Sequence, residues 1–577
     1  MLHEFALSHD RALINFTLKY CDTKQKLLGS YGFRRVVDSF VKQILKNQEK
    51  VIYNYYSDVL GDDDEFVDSV IEVCKLLCVF SVEEVIAVDN KYKIFFEDRE
   101  YFIEFIDMML TYWKRLERYT IVRNNRIGEG LQNVRFNNAN DMFNALILST
   151  VRRLNTTVSG KDIRVRREST LGAMAGLTLN EINWNCPIEY KGLSNISFIS
   201  TLTIQPPFIS YTKSNTRSGV FQEHTKNPLE NLILDEDDWY VYPAKVGSML
   251  TFVYFHKNFM SHGICLGNLF ELARENEYIG KKPDMIYVYG YPAEDDKKVC
   301  YYYKDMKNDI LIGYCNQSDE VDYFGYMKKM LLTLHNIKQI EQHKLPIHGA
   351  MVNIVLRNGT ESNIVIMGDS GAGKSESLEA FRTLNADYIR HMRVIFDDMG
   401  YLEKQEDGTI KAYGTEIGAF VRVDDLDPAY AFEQLDRGVY ANMDKINARV
   451  TIPITSYDII MRGYPVDYFL YANNYAEADK KIHLLNNFDQ IIQTFEDGAR
   501  KAKGTTSEVG LVKSYFANPF GPVQEREQTE ILVRQYFKDM MDAGTKIGEM
   551  YTSLAIDGQA HEGPRKAAEE LFNLINK

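Results

Sequence analysis

The sequence lacks the features that would place it in a membrane or outside the cell. No uninterrupted apolar run reaches about 18 residues, so no transmembrane helix is expected. The N-terminus has no basic segment followed by an apolar run, so no signal peptide is expected. Cysteine is scarce, with 7 residues in 577, and Cys74 and Cys78 have no second Cys or His pair that would complete a zinc site. We therefore expect a cytoplasmic protein with reduced thiols and no membrane partner.

Basic residues are fewer than acidic ones, and the formal net charge is -14 at pH 7. Proteins that bind nucleic acid use a basic surface to displace counterions from phosphates, so no nucleic-acid partner is expected. A phosphate site is still compatible with this charge, because it needs only a local cluster of donors. The length predicts two or three domains, and no feature of the sequence fixes the oligomeric state.

Residues 1–125 are expected to form a mostly helical accessory region. Apolar residues recur at helical spacing in three stretches, which start at Val37, Phe66 and Tyr101. We expect these stripes to form buried core, with a partner-binding surface as the alternative. Between the last two stripes, Val85–Val88 and Tyr92–Phe96 could pair as a short β-hairpin.

The rest of the chain shows a mixed α/β pattern. A polar, glycine-bearing segment at Asn124–Asn133 marks the first boundary. Strands are expected at Phe198–Ile204, Met285–Tyr289 and Ile310–Ile312. We therefore predict an α/β fold with mixed sheets, divided into a second domain at 126–345 and a third at 346–577.

The clearest motif is a complete phosphate-binding loop, G-x-x-x-x-G-K-[ST], between a buried-strand pattern at Asn363–Met367 and a helix pattern at Lys374–Leu384. Its residues are Gly368, Asp369, Ser370, Gly371, Ala372, Gly373, Lys374 and Ser375. The glycines let successive N–H groups point at phosphate oxygens, and the helix N-terminus adds partial positive charge. Lys374 would reach the terminal phosphates of ATP or another nucleoside triphosphate, and the Ser375 hydroxyl would hold Mg²⁺.

An acidic pair follows soon after this P-loop. The apolar strand Val394–Phe396 ends in Asp397-Asp398, at the place where a carboxylate draws a divalent cation to a bound triphosphate. Taken alone, such a pair can also form a turn or a helix cap. The P-loop upstream favours the metal-binding interpretation.

Four segments occur in order around the P-loop: Ile310–Gly313 with Tyr323–Lys329, then Pro346–Ala350, Ile395–Asp398 and Asn447–Pro453. Over roughly the last half of the chain they resemble motifs of the phosphoenolpyruvate carboxykinase superfamily, most closely its ATP-dependent members. The resemblance implies a carboxykinase-like P-loop core that binds nucleotide and metal in the third domain, with the second domain on the substrate side. A fainter similarity runs from Gly504–Gly510 through Phe520–Pro522, and we assign no role to any residue on its basis.

The resemblance implies catalytic roles for four residues. Tyr323 would contact the substrate, Lys328 would approach the phosphoryl group, and Arg449 would neutralise that group during transfer. Asp397 would be the first member of the acidic pair at the reaction centre. An arginine is the expected clamp on a migrating phosphoryl group, because its donors match two phosphate oxygens.

The resemblance also implies a transition-metal site, in which Lys329, His348 and Asp398 bind Mn²⁺ beside the Mg²⁺ at Ser375. A metal-binding lysine must be neutral, which requires burial and a nearby cation such as Lys328. Nitrogen and oxygen ligands suit Mn²⁺. Each residue has a structural alternative, since adjacent lysines can be a solvated helix face and a histidine can be a satisfied core residue.

The sequence departs from the carboxykinase pattern in two places. Tyr326 replaces a glutamate of the family. The family's G-R-S-P-K-D stretch, whose arginine holds the substrate carboxylate, has no convincing match, and Ser159–Arg164 shares only some of its letters. An arginine at 152–153 or 164–167 could substitute.

The P-loop surroundings also resemble HPr kinase/phosphorylase, a protein-serine kinase with the same P-loop core. The shared letters lie in Gly368–Gly371, Lys374–Glu376 and His348–Val352. We therefore predict ATP- and Mg²⁺/Mn²⁺-dependent phosphoryl transfer with a small anionic acceptor. The reaction would be oxaloacetate plus ATP giving phosphoenolpyruvate, CO₂ and ADP, or phosphorylation of another small molecule. The alternatives are an HPr-kinase-like enzyme and a nucleotide-binding regulatory protein without turnover.

Overall fold

The computed structural model of the chain describes residues 3–8, 11–46, 50–61, 63–121, 136–167, 173–293, 297–369, 371–374, 376–377, 380–381, 389–423, 435, 437–501, 510–556 and 562–576. Backbone contacts divide the chain into two units. Unit 1 is Met1–Ile163 with Asn385–His391, and unit 2 is Arg164–Leu384 with Met392–Lys577. The three-domain division drawn from the sequence stays a prediction.

Unit 1 is built mainly of helices. These are α1 (Lys24–Leu28), α2 (Tyr31–Lys46), α3 (Lys50–Leu60), α4 (Asp63–Leu77), α5 (Val82–Val88), α6 (Ile94–Glu97), α7 (Arg99–Arg115) and α8 (Phe136–Ser159), with a 3-10 helix at Asn90–Lys93. A small sheet has the order β1 (Phe5–Ser8), β2 (Arg11–Asn15) and β3 (Glu117–Ile121), with β1 antiparallel and β3 parallel to β2.

The apolar stripes predicted as core are buried together in one cluster, with Val37, Phe66 and Phe105 at 0% exposure. The predicted hairpin is wrong, because both of its arms are helical, in α5 and in the 3-10 helix with α6. Short apolar runs fit either structure by pattern alone. The capping box between Ser81 and Glu84 satisfies the first N–H groups of α5 and so favours the helix.

Unit 2 contains most of the strands. The first group is β4 (Val165–Arg166), β5 (Ala175–Asn180), β6 (Phe198–Ile204), β7 (Phe208–Ser210), β8 (Gln222–Glu223), β9 (Trp239–Val246), β10 (Met249–His256), β11 (Glu271–Leu272), β12 (Met285–Tyr291), β13 (Cys300–Asp305) and β14 (Ile310–Asn316). The second is β15 (Leu345–Leu356), β16 (Glu361–Met367), β17 (Ile389–Lys404), β18 (Ile410–Gly414), β19 (Gly418–Arg422), β20 (Val439–Ala441), β21 (Arg449–Pro453), β22 (Tyr464–Pro465), β23 (Tyr468–Asn473), β24 (Ile482–Leu484), β25 (Ala499–Lys501), β26 (Leu511–Lys513) and β27 (Lys546–Tyr551).

The helices of unit 2 are α9 (Met260–Leu269), α10 (Glu275–Tyr278), α11 (Phe324–Glu341), α12 (Tyr457–Ile460), α13 (Phe488–Asp497), α14 (Arg526–Asp542) and α15 (Glu562–Ile575), with 3-10 helices at Ile188–Leu193, Lys257–Phe259 and Tyr515–Ala517. Helix α11 packs closely on β14. A Cβ atom at Gly313 would lie only 2.9 Å from Met330 Cγ, so this glycine permits the approach.

Two large mixed sheets form the framework of unit 2. One is 10-stranded, with the path β4-β6-β9-β10-β12-β14-β13-β8, and with β5 on β6 and β11 on β9. The other is 8-stranded, in the order β22-β18-β17-β15-β16-β23-β27-β24. Strands β16, β23 and β27 run parallel, whereas β15 is antiparallel to β16. Strands β15 and β16 are buried along almost their whole length, as expected for strands covered on both faces.

Smaller sheets have the orders β19-β21-β20-β7 and β25-β26. These observations confirm an α/β fold with mixed sheets. The strands predicted at Phe198–Ile204, Met285–Tyr289 and Ile310–Ile312 are present as β6, β12 and β14. No helix in the described part of the chain is long and apolar enough to cross a membrane.

The expectation of reduced thiols is wrong for one pair of cysteines. Cys300 on β13 and Cys315 on β14 are register partners, their Cα atoms are 4.3 Å apart, and a disulfide joins them. Antiparallel strand register brings the two cysteines together. No recognised cysteine spacing in the sequence therefore predicts the pair.

Candidate functional site

The predicted P-loop begins where two central strands of the 8-stranded sheet pair. Met367 at the end of β16 is the register partner of Gly349 on β15. The next residue, Gly368, donates its N–H to the carbonyl of His348 at 3.0 Å. Strand pairing therefore places the predicted metal-binding histidine beside the first residue of the phosphate loop.

The loop is held in a conformation that needs its glycines. Gly371 and Gly373 have φ angles of 78° and 96°, in the left-handed region that favours glycine. A Cβ atom at Gly373 would lie 2.7 Å from Cβ of Thr552. The Thr552 hydroxyl donates to the Ala372 carbonyl at 2.7 Å, and the Asn474 amide donates to the Gly371 carbonyl at 2.9 Å. Side chains that follow β23 and β27 thus fix the loop backbone.

Lys374 is buried at the base of the loop, with 6% exposure, and its ammonium group donates to the Gly368 carbonyl at 2.6 Å. Asp369 accepts from Nε of Arg500 at 2.7 Å. Ser370 and Ser375 lie outside the described residues, so the role predicted for Ser375 stays a prediction. The described residues after Gly373 in this stretch are helical, as the motif requires.

One carboxylate gathers three of the predicted residues. Oδ2 of Asp398 accepts hydrogen bonds from Lys328 at 2.7 Å and from Lys329 at 2.9 Å. Oδ1 lies 2.7 Å from Nε2 of His348. Asp398 has a φ of 115°, a strained value for a residue with a side chain. The predicted cluster of Lys329, His348 and Asp398 is therefore formed, and strain marks its central residue.

The contacts of His348 restrict what can lie between its ring and Asp398. Nδ1 lies 2.8 Å from the Ala517 carbonyl, which can only accept, so Nδ1 donates to it. A neutral imidazole then presents the lone pair of Nε2 to Asp398 Oδ1, which also carries only lone pairs. Two electron-pair donors 2.7 Å apart require a proton or a metal cation between them. The donor set thus fits a cation.

Burial and neighbouring charges shift the pKa values of the residues in this cluster. Burial lowers the pKa of Lys329 against the opposing charge of Asp398, and the neighbouring Lys328 lowers it further. Burial and Lys374 lower the pKa of His348. Burial alone would raise the pKa of Asp398, but Lys328, Lys329 and His348 hold it well below its usual range. A neutral imidazole, a lysine that loses its proton more easily and an ionised carboxylate are what a metal site requires.

Glu416 is a member of the cluster that sequence reasoning missed. Its carboxylate lies 3.1 Å from Nζ of Lys328, and both side chains are 1% exposed. Burial raises the pKa of Glu416 to about 7, against the opposing effect of Lys328. The residue lies between β18 and β19 and belongs to no local motif. Asp397 is half-buried on β17, and its catalytic role stays a prediction. The expectation that the strand ends at Asp397-Asp398 is wrong, because β17 continues to Lys404.

A second group of residues surrounds Tyr323, the N-cap residue of α11. The rings of Tyr323 and Phe420 are 5.7 Å apart, and the Arg449 guanidinium lies 5.6 Å from the Phe420 ring centre. Burial raises the pKa of Tyr323, while Arg449, Arg217 and Lys328 oppose that rise. The charges of Arg449 and Lys328 therefore act on Tyr323, and the catalytic roles of the three residues stay predictions. Among the described residues, Nε of Arg449 is buried without a hydrogen-bond partner.

Arg217 is the second residue that the sequence interpretation missed. Its guanidinium lies 5.3 Å from the centre of the Phe520 ring, and Lys329 Nζ lies 4.5 Å from the same ring. Burial lowers the pKa of Arg217. Arg217 belongs to none of the motifs described above, so no local sequence signal marked it. By contrast, Arg164 donates to the Ala273 carbonyl, and Arg167 donates to Asn268 and Gly267.

Tyr326 stands where the carboxykinase pattern has a glutamate. Its side chain fixes the backbone next to Arg217. Its hydroxyl donates to Glu320 at 2.8 Å and accepts from the Ser218 N–H at 3.1 Å. Lys298 donates to Glu320 at 2.6 Å and to the Ser218 hydroxyl at 2.8 Å. Three side chains thus hold the segment that carries the arginine.

The chain matches no protein-family model, and no curated protein sequence is significantly similar to it. Within the described residues, no group of three or more His, Cys, Asp or Glu side chains could hold a metal ion. The cluster at Asp398 differs from such a group because one of its three predicted ligands is a lysine nitrogen. Any functional proposal for this chain must therefore rest on its sequence motifs and its geometry.

Proposed function

We propose that the protein catalyses nucleotide- and divalent-cation-dependent phosphoryl transfer of the carboxykinase type, acting on a small anionic substrate in the cytoplasm. One observation carries the proposal: Asp398 is contacted by Lys328, Lys329 and His348, and His348 adjoins the first residue of a P-loop. Burying so many ionisable groups together costs free energy. Catalysis explains this arrangement better than stability does.

The P-loop supports nucleotide binding through its backbone and through Lys374. Successive N–H groups of the loop and the N-terminus of the following helix would face the phosphates. Lys374 would exchange its contact with the Gly368 carbonyl for phosphate oxygens, which are stronger acceptors. The pair of Asp369 and Arg500 would keep the loop in position while this exchange takes place.

The cluster at Asp398 supports a divalent cation held by Lys329, His348 and Asp398, with a second one at Ser375. Bound there, divalent cations would neutralise the phosphate charge and favour the ionised form of the acceptor. Lys328 would remain a fixed ammonium group, because Asp398 and Glu416 raise its pKa although burial lowers it. Lys328 can therefore stabilise the charge of the phosphoryl group during transfer.

The residues around Tyr323 support an anionic substrate. Arg217 and Arg449 would each offer donors to a carboxylate or a phosphoryl group, and Arg449 has a buried nitrogen without a partner among the described residues. With oxaloacetate, loss of CO₂ would leave an enolate. Its oxygen would bond to the γ-phosphorus of ATP while the bond from that phosphorus to the bridging oxygen breaks, giving phosphoenolpyruvate and ADP.

An acceptor screen with γ-labelled ATP, Mg²⁺ and Mn²⁺ tests the proposal. Label in phosphoenolpyruvate, with CO₂ released, supports the carboxykinase reaction. Label in another small molecule without CO₂ makes the protein a kinase on the same site. Label on a protein serine supports the HPr-kinase-like alternative. Tight ATP binding without transfer to any acceptor supports a regulatory protein.

A further inference from the structure

Unit 1 contains a large apolar cavity that the phosphoryl-transfer site does not use. It is bounded by β1, β2, α1, α2, α7 and α8, and all of its lining residues belong to unit 1. Its enclosed space is about 110 Å³, and the space within its bounds is about 920 Å³ when the open mouth is included. The inner wall is apolar and includes Phe16, Leu28, Val36, Leu110 and Leu154.

The few polar groups of the inner wall already have partners within the protein. The Ser30 hydroxyl donates to the Leu27 carbonyl at 2.7 Å, and the Thr150 hydroxyl donates to the Leu146 carbonyl at 2.7 Å. A polar ligand would lose its hydrogen bonds to water there without replacement, whereas an apolar one would lose none. This difference favours an apolar occupant.

The entrance differs in chemistry from the inner wall. Trp113, Phe143 and Ile147 are half-buried in the lining. Lys19 and Glu4 also line the cavity, and Lys19 Nζ lies 3.7 Å from Glu4 Oε2, longer than a direct hydrogen bond. The carboxylate of a ligand could therefore accept a direct hydrogen bond from the ammonium group of Lys19, because Glu4 does not accept one.

We propose that this cavity binds a small amphipathic carboxylate, with its apolar tail against Phe16, Val36 and Leu154 and its carboxylate at Lys19. No residue of the cavity belongs to the P-loop or to the cluster at Asp398. The inference is therefore independent of the proposed phosphoryl transfer, and each can fail without the other.

Titration of the full-length protein with a conjugated polyene fatty acid, whose fluorescence rises in an apolar site, tests the inference. We expect saturable binding of one molecule per chain. Ile147→Phe extends a half-buried side chain into the cavity and should weaken binding by about tenfold or more. The matched control is Ile531→Phe, at a residue of unit 2 that is 67% exposed, and it should bind as wild type does.

A second pair of measurements tests the contact between Lys19 and the carboxylate of the ligand. Lys19→Glu should weaken binding of the acid at least about tenfold while leaving binding of its uncharged methyl ester unchanged. If Ile147→Phe does not fold, Val151→Phe on the same helix supplies the cavity-filling variant. Absence of saturable binding by the wild type would overturn the proposal. Equal binding by wild type and a folded cavity-filling variant would overturn it as well.

Discussion

Lys328 and Lys329, neighbours on α11, donate to the same oxygen of Asp398 at 2.7 and 2.9 Å, yet their pKa values move in opposite directions. Lys328 also pairs with Glu416, which helps to keep it charged despite burial. Burial lowers the pKa of Lys329 more than the charge of Asp398 raises it, and Lys328 adds to the lowering. Lys328 is thus a fixed cation, whereas Lys329 loses its proton more readily, as the proposed metal site requires.

The first prediction concerns that metal. His348→Ala and Asp398→Asn should each weaken Mn²⁺ binding at least about tenfold, since each removes one ligand. Electron paramagnetic resonance titration of free Mn²⁺ measures the affinity. His483→Ala, at an exposed histidine on β24, is the control and should bind Mn²⁺ normally. Unchanged affinity in both site variants would refute the metal site.

The second prediction concerns the nucleotide. Lys374→Ala should weaken binding of ATP·Mg²⁺ by on the order of 3 kcal/mol, because a buried charge would no longer meet the phosphates. Isothermal calorimetry gives the affinity, and Lys538→Ala, at an exposed lysine on α14, is the matched control. Equal affinity for ATP in wild type and Lys374→Ala would remove the basis of the P-loop assignment.

The third prediction concerns the support of Arg217. Tyr326→Phe keeps the ring but removes the hydroxyl that holds Ser218 and Glu320, so Arg217 should lose its fixed position. Binding of oxalate, a dianion that resembles an enolate, should weaken about three- to tenfold. ATP affinity should not change, and Tyr211→Phe, at a 71% exposed tyrosine, should behave as wild type. Wild-type oxalate affinity in Tyr326→Phe would show that the network does not position Arg217.

The fourth prediction concerns pH. Burial lowers the pKa of His335 from 6.5 to about 4, so this side chain stays neutral in the native state while the unfolded chain takes up a proton. Its stabilising contribution is complete above pH 6.5 and is lost as the pH falls toward 4, by on the order of 3 kcal/mol. Urea unfolding between pH 4 and 7 should show a shallower pH dependence in His335→Gln than in wild type. If the unfolding free energy of the two proteins depended on pH with the same slope, His335 would not have a lowered pKa in the native state.

Sequence patterns were sufficient where a residue's neighbours are close in the chain. The glycine turn after β16, the helical core stripes and strands such as β6 follow from local spacing. Motif order also indicated that Lys329, His348 and Asp398 belong together. It could not indicate Glu416 or Phe520, which reach the site only through sheet pairing and loop packing. The same limit applies to the disulfide of Cys300 and Cys315, which depends on strand register.

Transfer of the γ-phosphoryl group from labelled ATP, with oxaloacetate, Mg²⁺ and Mn²⁺ present and CO₂ measured in the same reaction, tests the central claim most directly. The comparison is between wild type and Asp398→Asn, which keeps the shape of the side chain and the P-loop but removes the charge. We predict labelled product from the wild type and a rate lower by roughly 10²-fold or more in the variant, with ATP binding retained. Wild-type protein that binds ATP tightly but transfers label to no acceptor, or equal rates in the two proteins, would contradict the claim.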